Sequence, residues 1–179
     1  MKMSFRNNRS HLKRLLLILI IGAAVFSGCF RYSFTGTSLP DDVSSIYIPF
    51  FPDQSNSGLG NLSDLLNDAL INRFVNQSRL QLANDEAGAD VLLEGSITNY
   101  SNKPFSVGGD EEAELNQVSI TVRATYSYTN ESDARWSQTF RGTAEYDPAE
   151  NPIQGEADAA GLALEQVANN MFTESVGKW

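Results

Sequence analysis

The residue types that could do chemistry in this chain are few and lie near its N-terminus. Cys29 is the only cysteine and His11 the only histidine among 179 residues. Cys29 directly follows the small residues Ser27 and Gly28, at the end of an apolar run from Leu15 to Phe26. A lone thiol that follows an apolar run and two small residues favours covalent modification of the cysteine.

The residues before Cys29 have the three parts of a secretory signal. Residues 1–14 are basic and contain no acidic residue, and the apolar run of about a dozen residues is shorter than the roughly 20 that span a bilayer. The arrangement resembles the bacterial lipobox, in which a peptidase cleaves before the cysteine and the thiol carries a diacylglycerol. We therefore predict a lipoprotein signal peptide over residues 1–28 and lipidation of Cys29.

Two other interpretations of this segment fit less well. A stop-transfer anchor would need a longer apolar run. An ordinary signal peptide would leave an unpaired thiol in an oxidising compartment. The residue after the cysteine is Phe30, whereas aspartate there retains lipoproteins in the inner membrane of some Gram-negative bacteria. Resemblance to that sorting rule implies the outer membrane, with the protein lipid-anchored on its periplasmic side.

The charge of the mature chain excludes several partners. Cleavage before Cys29 leaves 179 − 28 = 151 residues with all 22 acidic residues but only 13 − 5 = 8 basic ones, a net charge of 8 − 22 = −14. Nucleic-acid binding depends on lysine and arginine, so no nucleic-acid partner is expected. Attachment to the membrane is expected through the lipid on Cys29, since each buried lipid CH₂ contributes about 0.8 kcal/mol.

The mature chain also lacks the usual tools of catalysis. His11 leaves with the signal peptide, so Ser–His and Cys–His pairs and His- or Cys-based zinc sites are excluded. The pair Gly58 and Gly60 lacks the remainder of a phosphate-binding motif, and the acidic segment 110–114 lacks the spacing of a calcium loop. We predict no enzyme, no metal and no cofactor; a hydrolase is the weakest interpretation.

Hydrophobic periodicity predicts seven elements in the order β-α-β-β-β-β-α. The predicted strands are 44–51, 79–83, 91–101 and a hairpin of 118–128 with 136–144; the predicted helices are 59–76 and 156–176; a loop is predicted over 102–115. Two amphipathic helices and a sheet with one polar face indicate an α+β fold. It would be a two-layer sandwich with a mostly antiparallel or mixed sheet and both helices on one face. A lipidated leader over 29–45 would precede a single domain over 46–179.

The hairpin shows the clearest alternation in the chain. We predict that one set of its side chains points at the helices (Val118, Ile120, Val122, Trp136 and Phe140) and that a second set points away (Ser119, Thr121 and Ser137). The aromatic residues Tyr126, Tyr128, Trp136 and Phe140 would form the core or line a lipid groove.

Three arginines stand out on the polar side of the same hairpin. Arg123, Arg135 and Arg141 would either pair with acidic neighbours or meet an anionic ligand or partner. They are the candidate contacts of this chain with a partner or with an anionic ligand.

The segment that begins at Cys29 continues with the aromatic pair Tyr32 and Phe34, then Gly36, Leu39-Pro40 and a strand that ends in Ile-Pro-Phe-Phe. These features resemble the start of LptE proteins, the lipoprotein subunits of the outer-membrane lipopolysaccharide (LPS) translocon. The later stretch ADVLLEGSITNYS at 89–101 and the Tyr-rich strand before a Trp-bearing one are also similar.

The resemblance implies a two-layer α/β fold and a partner, the LptD outer-membrane barrel. Proteins of this kind plug the barrel from the periplasmic side, aid its assembly and contact LPS. No catalytic residue is implied, and only Cys29 carries over. A rival resemblance links SIYIPFFPDQSNSG and ADVLLEGSITNY to periplasmic lipoproteins of the CsgG and TolB-N type, which form secretion or envelope assemblies. Those proteins usually lack the long hairpin that follows here.

Overall fold

Within the described part of the chain, five strands and two helices follow one another in the order that the sequence predicts. The computed structural model describes residues 42–106 and 114–176. The strands are β1 (Ser45–Tyr47), β2 (Gln81–Leu82), β3 (Val91–Ser106), β4 (Glu114–Tyr128) and β5 (Trp136–Tyr146); the helices are α1 (Leu62–Ile71), which continues as a π-helical turn (Asn72–Asn76), and α2 (Pro152–Val176). Cys29, the leader up to residue 41 and residues 110–113 of the acidic segment lie outside the described residues.

The strands form one mixed sheet in the order β2-β1-β3-β4-β5. β1 runs parallel to β2 and to the start of β3, and α1 makes the crossover from β1 to β2. β3, β4 and β5 are long antiparallel neighbours. The predicted α+β fold with a mixed sheet is confirmed.

One face of the sheet and the inner sides of both helices share a single core. The residues predicted to point at the helices are all buried, and the second set is half-buried or exposed, which confirms the predicted register. Leu66 and Leu70 of α1 and Leu164 and Met171 of α2 are fully buried in the same cluster. The ring of Phe74 meets the ring of Phe172 edge-on at 5.2 Å and joins the two helices. Both helices therefore cover the same face.

β3 is longer than the sequence predicts, and an irregularity divides it. The register with β4 shifts between Ile97 and Asn99, so Thr98 is an extra residue that reverses the alternation of the strand. Beyond the shift the strand continues to Ser106 opposite Glu114, through residues predicted to be a loop. The prediction of a loop over 102–115 was therefore wrong at both ends.

Pro104 is tolerated in β3 because its missing amide faces outward. The amide of Thr143 donates to the side chain of Gln166 at 2.7 Å and so points away from β4. Thr143 therefore forms a non-hydrogen-bonded pair with Ser119 of β4. The backbone N–H and C=O of Ser119 then point to the other side, toward Ser101 of β3, and those of Ser101 point toward β4. Since backbone groups alternate along a strand, Pro104, three residues after Ser101, has its nitrogen on the outer edge of β3.

Asp90 joins the first parallel strands. One carboxylate oxygen accepts hydrogen bonds from the amide and the hydroxyl of both Ser44 and Ser45, each at 2.9 Å. The amide of Asp90 in turn donates to the hydroxyl of Ser45 at 3.0 Å. The start of β1 is thereby held beside the start of β3, although only two residue pairs connect the two strands.

Candidate functional site

The face of the sheet away from the helices carries polar side chains on all three long strands. We call this surface the open face; the polar side chains on it are Glu94, Ser96, Asn99, Ser101, Lys103, Gln117, Ser119, Thr121, Arg123, Thr125, Ser127, Ser137, Thr139, Arg141, Thr143 and Glu145. Every one of these residues is half-buried or exposed. Its hydroxyls bond across strands, as where Thr125 and Ser137 approach to 3.0 Å. The surface can offer many hydrogen bonds and carries charges of both signs.

Arg123 and Arg141 lie together on the open face. Arg123 of β4 is directly opposite Thr139, and Arg141 of β5 is directly opposite Thr121. The two arginines are therefore diagonal neighbours, whose Cβ atoms in such positions lie about 7–8 Å apart. Both side chains are exposed, so their guanidinium groups can reach one anionic group or two adjacent ones.

The arginine pair makes no close ion pair in the described structure. Neither Arg123 nor Arg141 makes a hydrogen bond or an ion pair within the described ranges. The exposed acid Glu94 lies opposite Thr125, diagonal to Arg123 on the same face, and Glu145 accepts a hydrogen bond from Gln117 at 3.4 Å. Both predicted roles of these cations, pairing with an acidic neighbour and contact with an anion, therefore stay open.

Arg135 is placed differently from the other two arginines. It precedes β5, and its guanidinium carbon lies 4.5 Å from the centre of the Tyr128 ring, which belongs to the helix-covered face. It also forms an ion pair with Glu131 at 2.6 Å. The prediction that Arg135 lies with Arg123 and Arg141 on one polar side was wrong. Arg135 precedes β5, which begins at Trp136, so the alternation of the strand does not determine the direction of its side chain.

The aromatic residues of the hairpin form core and not an open groove. Tyr126 is 1% exposed, and its ring stacks on that of Trp136 at 5.7 Å. Trp136 meets Phe140 edge-on at 5.1 Å. Burial raises the pKa of Tyr126 far above that of an ordinary tyrosine, so its hydroxyl remains protonated. The structure therefore favours a buried core over a lipid groove for these four aromatic residues.

Within residues 42–106 and 114–176, no three histidine, cysteine or acidic side chains are grouped as metal ligands would be. In the same ranges no helix is both long and apolar enough to cross a bilayer. The open face with its arginine pair is the candidate site that this part of the chain presents.

Comparison with known families gives a match over most of the chain. The family model LptE, described as lipopolysaccharide-assembly, matches residues 43–175. The chain belongs to the LptE family. This family is one of non-enzymatic lipoproteins of the cell envelope that work in LPS transport. No curated protein matches the sequence.

Two solved structures share the fold of this LptE-family chain. A homologue of a neuraminyllactose-binding hemagglutinin from Helicobacter pylori is 13% identical, with 81% of this chain and 89% of that chain covered at a TM-score of 0.54. A DUF330 protein from Xanthomonas campestris is 15% identical, with 75% and 84% covered at a TM-score of 0.53. At these identities the likeness shows the fold alone.

Proposed function

We propose that this LptE-family protein is an outer-membrane lipoprotein that assembles with the LptD barrel and plugs it for the transport of LPS to the cell surface. The family match over residues 43–175 is the observation that carries this proposal. The protein would act through surface complementarity and without catalysis of its own.

The open face supports a role inside a polar enclosure. The lumen of an outer-membrane barrel is lined by polar side chains. A sheet face rich in serine and threonine hydroxyls can exchange hydrogen bonds with such a lining. The opposite face of the sheet is sealed by the two helices. The open face is thus the side of the sheet that we assign to the barrel lumen or to LPS.

The pair Arg123 and Arg141 gives the open face a feature that an anion would recognise. Guanidinium groups bind phosphate through paired, charge-assisted hydrogen bonds. LPS carries phosphates on its lipid A, and a barrel lumen carries acidic side chains. We assign the pair to one of these contacts, because both cations are exposed and form no ion pair among the described residues.

Attachment to the membrane is proposed to occur through Cys29. A lipid on this residue would hold the domain at the periplasmic surface of the outer membrane, beside the barrel. The Cys29→Ala chain should then remain uncleaved or become soluble. Labelling with a radioactive fatty acid should mark the wild-type chain and not the variant; equal labelling would contradict lipidation at this position.

Co-purification tests whether this chain binds LptD. The affinity-tagged chain, extracted from outer membranes in mild detergent, should bring LptD with it in a fixed ratio. A homo-oligomeric ring without LptD would instead favour a secretion or envelope assembly of the CsgG or TolB-N type and would contradict the proposal. Tagged Cys29→Ala serves as the matched variant and should recover less LptD if the lipid positions the domain.

A further inference from the structure

A groove of about 390 Å³ separates α1 from α2 on the outer side of the helix layer. Leu65 and Ala69 of α1 and Gly161 of α2 line it and are half-buried. Asp68 and Glu165 also line it, one from each helix, and are exposed. The groove therefore combines small and apolar residues with two carboxylates on facing helices.

Gly161 is not explained by packing within the described residues. A glycine inside a helix destabilises it by about 1 kcal/mol relative to alanine. Gly155, in the first turns of α2, has a local reason, because a Cβ there would lie 2.8 Å from the ring of Tyr146. At Gly161 a Cβ would meet nothing within 4 Å. The missing side chain leaves room above the helix backbone, as a close approach by another molecule would need.

The charged residues that line the groove are two acids and one cation, so its net charge is −1. Neither Asp68 nor Glu165 forms an ion pair with a residue in the described ranges. The cation, Arg73, donates to Gln77, another lining residue, at 2.7 Å, and its guanidinium carbon lies 4.3 Å from the centre of the Phe172 ring. A ligand that brings a positive charge would therefore be complementary to the groove.

We propose that this groove binds a segment of a partner protein. The segment presents one bulky apolar side chain over Gly161 and a neighbouring lysine or arginine between Asp68 and Glu165. Leu162, which is 57% exposed and adjacent to Gly161, extends the apolar contact. This contact goes beyond the proposed function, because it uses the helix layer, whereas the open face lies on the other side of the sheet.

Charge favours a partner protein over two other occupants. A second copy of this chain would bring its own strong acid excess against Asp68 and Glu165. An anionic membrane surface would be repelled in the same way. Neither a second copy nor a membrane lipid is therefore expected in the groove, and photo-crosslinking can detect either of them.

Photo-crosslinking in living cells tests the contact. A benzoylphenylalanine residue replaces Asn169, which lines the groove, or Asn170, the adjacent exposed residue that does not. We expect Asn169 to give an adduct with one segment of another protein, and Asn170 to give little. Mass spectrometry of the adduct should identify a large apolar residue within two positions of a lysine or arginine.

Variants then ask whether the groove itself is responsible. Gly161→Leu should fill it and lower the adduct yield at least tenfold, while the thermal unfolding midpoint stays the same or rises. Asp68→Lys combined with Glu165→Lys should lower the yield equally. The control pair Asp85→Lys with Glu150→Lys, two exposed acids outside the groove, should leave it unchanged.

Several results would overturn the inference. They are equal adducts at Asn169 and Asn170, an adduct with a second copy or with lipid, a segment without a cation, or a yield that resists either groove variant. Surface LPS measured in the same cells separates this contact from the proposed function. Normal adducts with no effect of the chain on LPS would refute only the function, and normal LPS without adducts would refute only the groove contact.

Discussion

The backbone of β5 at Gly142 touches the backbone of α2 at Ala163. A Cβ on Gly142 would overlap the carbonyl oxygen of Ala163 and would approach the side chain of Val167 to 3.1 Å. Because the carbonyl belongs to the helix backbone, no side-chain rotation can make room. This contact fixes the distance between the helix layer and the sheet.

Gly142→Ala should therefore destabilise the fold. We expect the free energy of unfolding to fall by about 1–3 kcal/mol, the usual cost of overpacking, because α2 must move away from β5. Urea denaturation measures this. Gly161→Ala is the matched control on the facing helix, where added volume meets open space, and it should raise stability by up to about 1 kcal/mol. Equal stabilities of the two variants would refute the close contact.

Asp90→Asn should weaken the fold at neutral pH. The amide of Ser44, followed by the hydroxyls of Ser45 and Ser44, lowers the pKa of the Asp90 carboxyl below its ordinary value of 3.8. The folded state therefore favours the ionised form. Hydrogen bonds to a charged group of this kind contribute about 1.5 kcal/mol, which the amide cannot replace in full. Urea denaturation at pH 7 should show a loss of that order.

The effect of Asp90 should depend on pH in one direction. Its stabilisation is complete above the unfolded-state pKa, about 3.9 for aspartate, and is lost as the pH falls through the lower folded-state pKa. The difference in unfolding free energy between Asp90→Asn and wild type should therefore shrink below about pH 4. Asp133→Asn, at an exposed turn, is the control and should show no such difference. A gap between Asp90→Asn and wild type that widens in acid would contradict the assignment.

Pro104→Val should make the protein self-associate. On the side away from β4, β3 pairs in the described residues only at Val91, Leu92 and an isolated bridge at Ile97. Among the residues that the structure describes, the rest of that edge has no strand beside it, and Lys103 and Pro104 are residue types that block edge-to-edge pairing. A valine would restore the outward amide. Sedimentation velocity should show dimers or larger species.

Gln117→Val is the control for edge pairing. It adds a similar apolar side chain on β4, which has strands on both sides. This variant should remain as monomeric as the wild-type chain. If both variants associate equally, surface hydrophobicity and not the β3 edge is responsible.

The order of elements could be predicted because hydrophobic residues recur at helical spacing in the helices and at every second position in the strands. The hairpin of β4 and β5 alternates cleanly, so the burial of residues such as Ile120 and the exposure of Ser137 followed from the sequence. The extent of β3 could not be predicted. Pro104 is typical of a loop, and only the tertiary fact that it lies on an outer edge permits the strand to continue. Thr98 also reverses the alternation without a signal of its own.

The candidate site could be predicted only in part. Arg123 and Arg141 lie inside regular strands, where alternation determines the face. Arg135 lies one residue before β5, where alternation no longer holds and the contact with the ring of Tyr128 decides its position. The groove around Gly161 could not be predicted from the sequence. Its residues come from two helices that are distant in sequence, and the pattern within either helix does not show which residues of the other lie beside it.

The double variant Arg123→Glu with Arg141→Glu should impair function and not folding. Both side chains are exposed, so unfolding free energy should change by less than about 0.5 kcal/mol. Loss of two charge-assisted contacts should weaken binding to purified LPS or LptD about tenfold or more, measured by surface plasmon resonance.

Charge alone must be excluded as the cause of that loss. Arg79→Glu with Arg135→Glu makes the same change in charge outside the open face. Binding should be nearly unchanged in this control. If the control weakens binding as much as the open-face variant, the effect is one of net charge and the assignment of the open face is wrong.

Surface LPS after depletion of the protein shows whether this chain is needed for LPS transport. The chain is placed under a repressible promoter in its native cells, and LPS on intact cells is quantified with an impermeant label as the protein disappears. We expect LPS to stall short of the surface and a plasmid copy of the wild-type chain to restore it. Normal surface LPS after complete depletion would refute the role in LPS transport.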